Sequence, residues 1–311
     1  MVSTHNRASR LPKLFRALRA QTLATDQFEV IIVDNGSSDE TPEVLAQEAS
    51  AGGLTLQTIR IEKSLGPAGA RERGWRAGSA PVVAFTDDDC APDPQWLEAG
   101  TAPIAGDPQV IVQGETRPDP DELNEMGPFS RTIEVKALHP AFNTCNILYS
   151  RELLERVGGF DAESFHGIVG GEDCDLAWRA IRAGGKPVFL AEAKVRHAVT
   201  RVGPLGMLKV ALRWHRAMEA YARHPELRET FTHAIFWKRE HYWLLRALLA
   251  GLPHLPWPIR AWLVLPYARN LWARGRVLGG GPALAPYYVA LDLVETLAVT
   301  TGGVRYRTLV L

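Results

Sequence analysis

At 311 residues, with 46% hydrophobic and 23% charged side chains, the chain has apolar material for one large core or two modest ones, which excludes a disordered or fibrous protein. The formal net charge of zero hides an asymmetry: residues 1–200 carry 20 Lys/Arg against 29 Asp/Glu, and residues 201–311 carry 15 against 6. Balances of −9 and +9 imply that the two parts meet different partners, and three widely spaced cysteines (Cys90, Cys145, Cys174) form neither a disulfide framework nor a zinc pattern and suit a reducing compartment.

Asn6, Arg7 and Arg10 stand where the apolar run of a signal peptide would begin, so a cytoplasmic location is the default expectation. A helix over Pro12–Gln21 calls for a strand before it, and only Met1–Thr4 is available. Either that strand is very short or the chain as written is clipped at its beginning. Phe28–Val33 reads as a strand ending at Asp34-Asn35-Gly36-Ser37, followed by a helix over Thr41–Ala51, a strand over Leu54–Ile61 and a helix over Ala68–Ala77. The strand Pro81–Thr86 then runs straight into Asp87-Asp88-Asp89. Strand–helix–strand repetition predicts a doubly wound, mostly parallel sheet with ligands at the carboxyl ends of its strands. Asp34 and Asp87–Asp89 lie at such ends and are expected to share one crevice.

From about residue 105 to 200 the pattern is mixed. Strands are expected at Val110–Gly114, Asn146–Tyr149, Pro187–Leu190 and Lys194–His197, with helices at Arg151–Val157 and about Cys174–Ala183. A polar stretch spans 117–128. Beyond Pro204 the chain reads as helical. Its apolar stretch Tyr242–Ala268 is broken by Arg246, His254, Arg260 and four prolines, so a simple membrane-spanning helix is not expected there.

Three constellations carry chemistry. Asp87-Asp88-Asp89 places three mutually repelling carboxylates side by side, a costly arrangement unless a hard cation such as Mg²⁺ or Mn²⁺ is near, although a solvated acidic turn has the same sequence. Gly170-Gly171-Glu172-Asp173-Cys174-Asp175 opens a helix. Acidic residues there can serve the helix dipole, while the glycine pair permits the close approach that a carboxylate facing a substrate needs. His197 is either an ordinary packed histidine or a ligand.

In their order, these pieces resemble a family 2 glycosyltransferase of the GT-A fold over roughly residues 1–200. Ser3-Thr4-His5-Asn6-Arg7 resembles the family's opening segment, and Glu29–Ser37 (EVIIVDNGS) its nucleotide-recognition strand and loop. Gly66-Pro67-Ala68-Gly69-Ala70-Arg71 resembles its donor-side element, with Glu72 where Asn is usual. Phe85–Asp89 resembles its metal motif, Asn146–Asp161 its acceptor-side segment, Gly171–Arg179 its Gly-Glu-Asp-x-Asp-Leu-x-x-Arg helix start, and Val195-x-His197 its late ligand histidine. The resemblance implies a base-binding role for Asp34 with Thr4 and Asp39 nearby, and donor contacts from Asn6, Arg7, Gly66, Arg71, Asp87 and Asp88. It also implies a divalent metal, Mn²⁺ or Mg²⁺, held by Asp87, Asp89 and His197. Asp173 would be the general base, with Glu172 orienting it or binding acceptor. Asn146 and Trp214 are the acceptor-side candidates. The donor implied is a nucleoside-diphosphate sugar, a UDP-sugar being favoured, and the acceptor a glycan or lipid-linked hydroxyl.

Val210-Ala211-Leu212-Arg213-Trp214 has the Arg-Trp of the family's processive members without their Gln, which predicts addition of one or a few sugars. The basic, tryptophan-rich back part reads either as a peripheral surface for the inner face of an anionic membrane or as a helical subdomain with core aromatics; nucleic acid is disfavoured. A catalytically inactive nucleotide-sugar-binding scaffold and a sugar nucleotidyltransferase are the rival readings. The first is opposed by the retained Asp89, Asp173 and His197, the second by a glycine-free start.

Overall fold

A computed structural model describes residues 1–167, 170–277 and 279–311. The chain runs β1 (Val2–Thr4), α1 (Leu11–Arg19), β2 (Glu29–Asn35), α2 (Thr41–Ala51), β3 (Thr55–Ile61), α3 (Gly66–Ala77), β4 (Val82–Thr86) and β5 (Cys90–Pro92). It continues through α4 (Trp96–Gly106), β6 (Val110–Pro118), β7 (Ser130–Arg131), β8 (Asn146–Ser150), α5 (Arg151–Val157), α6 (Glu172–Arg182), β9 (Lys186–His197) and β10 (Thr200–Arg201). Helices α7 (Gly203–Arg223), α8 (Arg239–Leu249), α9 (Trp257–Val277) and α10 (Ala285–Arg305) follow. Residues 1–123 with 132–199 form one compact unit, and 124–131 with 200–311 form another. The second unit thus takes in a segment that the sequence assigned to the first domain, because β7 pairs antiparallel with β10.

In the first unit β2 is buried along almost its whole length, as a strand covered on both faces must be. β1 and β3 flank it in parallel, with Val2 opposite Ile32 and Ile59 opposite Val33. Helix α1 buries Leu11, Leu14, Phe15 and Leu18, the stripe of a helix lying on a sheet. The parallel α/β expectation holds for these three strands. Strands β4, β5, β6, β8 and β9 form a second sheet in the order β4-β8-β6-β9-β5, where β6 and β9 are parallel and the other pairings antiparallel. The two short strands expected near 187–190 and 194–197 are one strand, β9, which follows β6 past an irregularity between Gly114 and Thr116 and pairs its end with β5. The Met1 nitrogen donates to the Ala84 carbonyl (2.7 Å) and Thr86 N–H to the Met1 carbonyl (3.3 Å), which brings the edges of the two sheets together at β1 and β4. The loops after β2 and β4 therefore open on the same side.

Asn146, expected on the acceptor side, is buried at the start of β8. Its Oδ1 accepts from the Trp96 indole (2.8 Å), and its Nδ2 donates to the carbonyls of Glu115 and Ala193 (both 2.8 Å). It ties three elements of the core and has no polar group left for a sugar.

The second unit is built on α7 and α10, where Gly302 lets α10 approach the backbone of His215. Two buried acids of α10 are neutralised inside it: Asp292 by Arg274 (2.8 Å) and the Tyr267 hydroxyl (2.9 Å), Glu295 by Lys238 (2.7 Å). Among the described residues one helix, Gly281–Arg305, is long and apolar enough to cross a membrane by length and composition. Those two paired acids mark it instead as the packed helix of this unit. Trp214, the other acceptor candidate, is half-buried in this unit's core, its ring 4.8 Å from that of Trp237.

Replacing Asn146 by Ala leaves an indole N–H and two carbonyls unsatisfied in the core. The expected outcome in denaturant unfolding is a loss of about 2–4 kcal/mol of stability, whereas a residue that only touched acceptor would lower turnover and leave stability unchanged.

Candidate active site

The loop after β1 is stitched to the loop after β2. Asn6, at φ 55°, donates its backbone N–H to the Ser37 hydroxyl (2.9 Å) and accepts from Ser38 N–H on its side-chain oxygen (2.8 Å). The Asp39 carboxylate accepts from Ala8 N–H (3.3 Å) and Thr41 N–H (3.1 Å), so it fastens the first loop to the start of α2. Thr4 ends β1 with a buried hydroxyl that faces Asp88, whose carboxyl it helps hold down. Asp34 is buried, held by Ser37 N–H (2.9 Å) and by the Arg60 guanidinium (2.6 Å). Arg60 is a site residue that the sequence pattern did not single out. The signal was its register: on parallel strands β2 and β3, Arg60 stands opposite Asp34.

The three aspartates after β4 diverge in role. Asp87 accepts a hydrogen bond from Arg71 Nη2 (2.9 Å). Asp88 is buried, and burial together with the neighbouring Asp89 charge pushes its carboxyl up to about 7. Arg7 lies 3.7 Å from Asp88 and 3.6 Å from Asp89, a partial offset to that repulsion. Asp89 points at His197, whose Nε2 is 3.6 Å from its Oδ1.

That separation is long for a hydrogen bond and close to the roughly 3.0–3.4 Å expected between two ligands sharing one cation at about 2.1 Å each. The His197 ring is oriented for such service. Its Nδ1 is 2.9 Å from the Ala198 carbonyl, to which it donates, so Nε2 is the ring nitrogen that faces Asp89. Cys90 Sγ belongs to the same cluster, since β5 and β9 place Cys90 opposite His197. Burial raises the Cys90 thiol well above its ordinary range, so it stays protonated and is a poor ligand at neutral pH. The donor set fits a divalent cation on Asp89 and His197, with Asp87 turned toward Arg71.

The second acidic set opens α6. Gly170 and Gly171 adopt φ of 109° and 99°, and Gly170 N–H donates to Glu172 (2.8 Å). Glu172 is buried, and its other oxygen accepts from Arg71 Nη1 (2.9 Å). Arg71 on α3 therefore joins Asp87 to Glu172. Burial opposes its charge, but Asp87 and Glu172 outweigh this and hold the guanidinium firmly protonated. Asp173 accepts from Thr144 N–H (3.4 Å) and Cys174 N–H (3.1 Å). Burial first, and the Glu172 charge second, push its carboxyl up to about 7, against the pull of Arg71. Gly66 packs on the loop ahead of α6: at φ 77°, a Cβ there would come 2.8 Å from the Gly167 nitrogen. Glu72 receives the Trp75 indole (2.6 Å) and Phe160 N–H (2.8 Å), a framework role.

The sequence profile described as Glycosyl transferase family 2 matches residues 1–160. This chain belongs to that family. The family 2 chain is 28% identical over 211 residues to glycosyltransferase AglE of Haloferax volcanii, covering 66% of itself and 68% of that protein. It is 30% identical over 227 residues to validoxylamine A glucosyltransferase of Streptomyces hygroscopicus subsp. jinggangensis, covering 61% of itself and 52% of that protein. The chain thus spans about half the length of this second relative. Among solved structures, the mannosyltransferase PcManGT from Pyrobaculum calidifontis, in complex with GDP-Man and Mn²⁺, superposes at a TM-score of 0.60 with 20% identity over 96% of this chain and 85% of that one. S. aureus TarS 1-349 with UDP-GlcNAc gives 0.55 at 17% identity over 99% and 91%. At such identities the likeness is one of fold, a GT-A glycosyltransferase fold. The family assignment and the relatives make the chain a glycosyltransferase.

The Asp173 shift predicts a stability change. Its folded-state value near 7 exceeds the ordinary aspartate value, so ionising it costs stability progressively as pH rises from about 4 to about 7. Asp173→Asn is expected to melt higher than the parent chain at pH 8 and at the same temperature near pH 4, read by thermal melts across that range.

Proposed function

We propose that this family 2 chain transfers a sugar from a nucleoside-diphosphate sugar to an acceptor hydroxyl in one metal-dependent, inverting displacement. The observation that carries this reading is Asp173. It is a carboxyl only partly accessible, raised to about 7, and linked through Glu172 and Arg71 to the aspartates after β4. A base with such a value is matched to taking a proton from a hydroxyl near neutral pH. It would remove that proton as the oxygen attacks the anomeric carbon, and one attack with one base inverts the configuration there.

Asp89 and His197 would hold a divalent cation, Mn²⁺ or Mg²⁺, with Asp87 at its margin. The cation supplies positive charge against the departing diphosphate. Asp34 would receive the base of the nucleotide, with Thr4 beside it and Arg60 bracing its carboxylate. Arg71, which bridges Asp87 and Glu172, supports a positioning role for itself and for Glu172 in setting the Asp173 carboxyl. A UDP-sugar is the favoured donor. The acceptor class is a glycan or a lipid-linked hydroxyl of the cell envelope, reached from the cytoplasmic side, with one or a few sugars added.

The test is a melting panel of UDP, dTDP, GDP and CDP, each with and without Mn²⁺, on the parent chain, Asp89→Ala and His197→Ala. One diphosphate is expected to raise the parent's stability by about 2.7 kcal/mol at a hundred times its dissociation constant, only with metal, and to lose that effect in both variants. No shift with any nucleotide would sink the reading. Once donor and acceptor are known, transfer should rise with pH, level off above about 7, and fall 10²–10⁴-fold (an order-of-magnitude range) in Asp173→Asn.

A further inference from the structure

The second unit carries a surface that the transfer chemistry does not account for. Helix α9 has 21 residues, on the order of 30 Å of helix, and not one Asp or Glu. Only Leu263, Tyr267 and Gly275 of it are buried. Most of its other residues are exposed, among them Trp257 (79% exposed), Trp262 (64%) and Trp272 (54%), with Pro266, Asn270, Leu271 and Arg274 half-buried. The end of α8 and the turn after it extend this surface with exposed Leu248 and Leu252. Two arginines bind the pieces together. Arg246 of α8 lies over the Trp262 ring, 4.1 Å from its centroid, and donates to the Trp262 carbonyl (3.1 Å). Arg260 of α9 donates to the carbonyls of Leu252 (3.2 Å) and Leu255 (3.0 Å). Single exposed apolar side chains are ordinary on a soluble protein; a joined set of large ones marks a partner.

We propose that α9 and the end of α8 form a face that lies on an anionic lipid bilayer, with the tryptophans at headgroup depth and the arginines against lipid phosphates. Charge selects this occupant. Residues 201–311 carry a +9 balance, and α9 has no acid and, beyond the Arg274 that pairs with Asp292, contributes Arg260, Arg269 and Arg276. Arg246 over Trp262 and Arg276 over Trp272 (4.7 Å) set a cation beside each ring. An interfacial helix needs that pairing: the ring enters the acyl boundary while the cation stays at the phosphates. A second copy fits worse, because two such faces would bring arginine to arginine with no carboxylate between them. Spanning fits worse too, since Arg260, Arg269 and Arg274 would cross with α9. The face therefore rests on the membrane surface.

Its test is separate from that of the transfer site. The full chain is sedimented at low salt with phosphatidylcholine vesicles, with and without phosphatidylglycerol, and its tryptophan emission is followed with brominated acyl chains. Expected are pelleting and quenching with phosphatidylglycerol, a loss of both as salt rises, and about tenfold weaker partitioning for Trp257→Ser/Trp262→Ser. A second variant, Arg269→Glu/Arg276→Glu, should weaken binding while leaving the tryptophans in place. Unchanged near-ultraviolet circular dichroism certifies that both variants are folded. The nucleotide-induced melting shift, read on the same preparations, reports on the transfer site alone. The inference is overturned if the parent chain stays in the supernatant with both vesicles, if folded variants bind as well as the parent, or if the parent is a dimer that the tryptophan variant dissociates.

Discussion

The first unit's chemistry hangs on one guanidinium. Arg71 is nearly inaccessible to water, and its two terminal nitrogens reach Asp87 after β4 and Glu172 at the start of α6. A buried cation is tolerable only when carboxylates surround it, and buried carboxylates only when a cation joins them. Each makes the others' burial affordable, and together they fix the distance between the turn after β4 and the start of α6. An arginine suits this position because its planar fork addresses two acids at once, which an ammonium cannot do with fixed geometry.

Around that link the acids are left incompletely neutralised. Asp88 and Asp173 are both raised to about 7, each by burial and then by an adjacent carboxylate. Raised carboxyl values in partial burial are what sites of binding and proton transfer commonly show, and structural clusters show them too. The uneven treatment of neighbours matters: Asp87 is bound, Asp88 buried, and Asp89 left facing His197. Three identical residues in a row thereby acquire three roles from the turn that carries them.

The second unit solves a different problem with the same residue types. Its buried acids, Asp292 and Glu295, are satisfied by Arg274 and Lys238. What it leaves open is apolar: the outer faces of α8 and α9, where arginines lie over aromatic rings. The charge asymmetry of the sequence thus corresponds to two different arrangements, clustered acids after β2, after β4 and at the start of α6 in the first unit and an apolar face edged by cations in the second.

The sequence alone determined the strand–helix alternation up to β4, the helical character beyond Pro204, and the family to which the chain belongs; β5, α4, β7 and β10 were not read from it, and β9 was read as two strands. Helix α2 and helix α5 have the predicted bounds, since a proline (α2) or a capping serine, Ser150 (α5), at the start and a glycine at the end are local signals. It also made the two acidic sets visible, because motif residues sit at fixed short spacings. The tertiary structure alone decided who meets whom. Arg71 and Glu172 are 101 positions apart. Arg60 reaches Asp34 only through parallel register, and Cys90 reaches His197 only through an antiparallel one. Asn146 is a core fastener because β8 runs beside β6, and 124–131 leaves the first unit because a two-residue strand pairs with β10. The physical reason is the same in each case. Periodicity and capping act over a few residues and are written along the chain, whereas a hydrogen bond between distant positions depends on which sheets and helices pack together, and no local pattern encodes that.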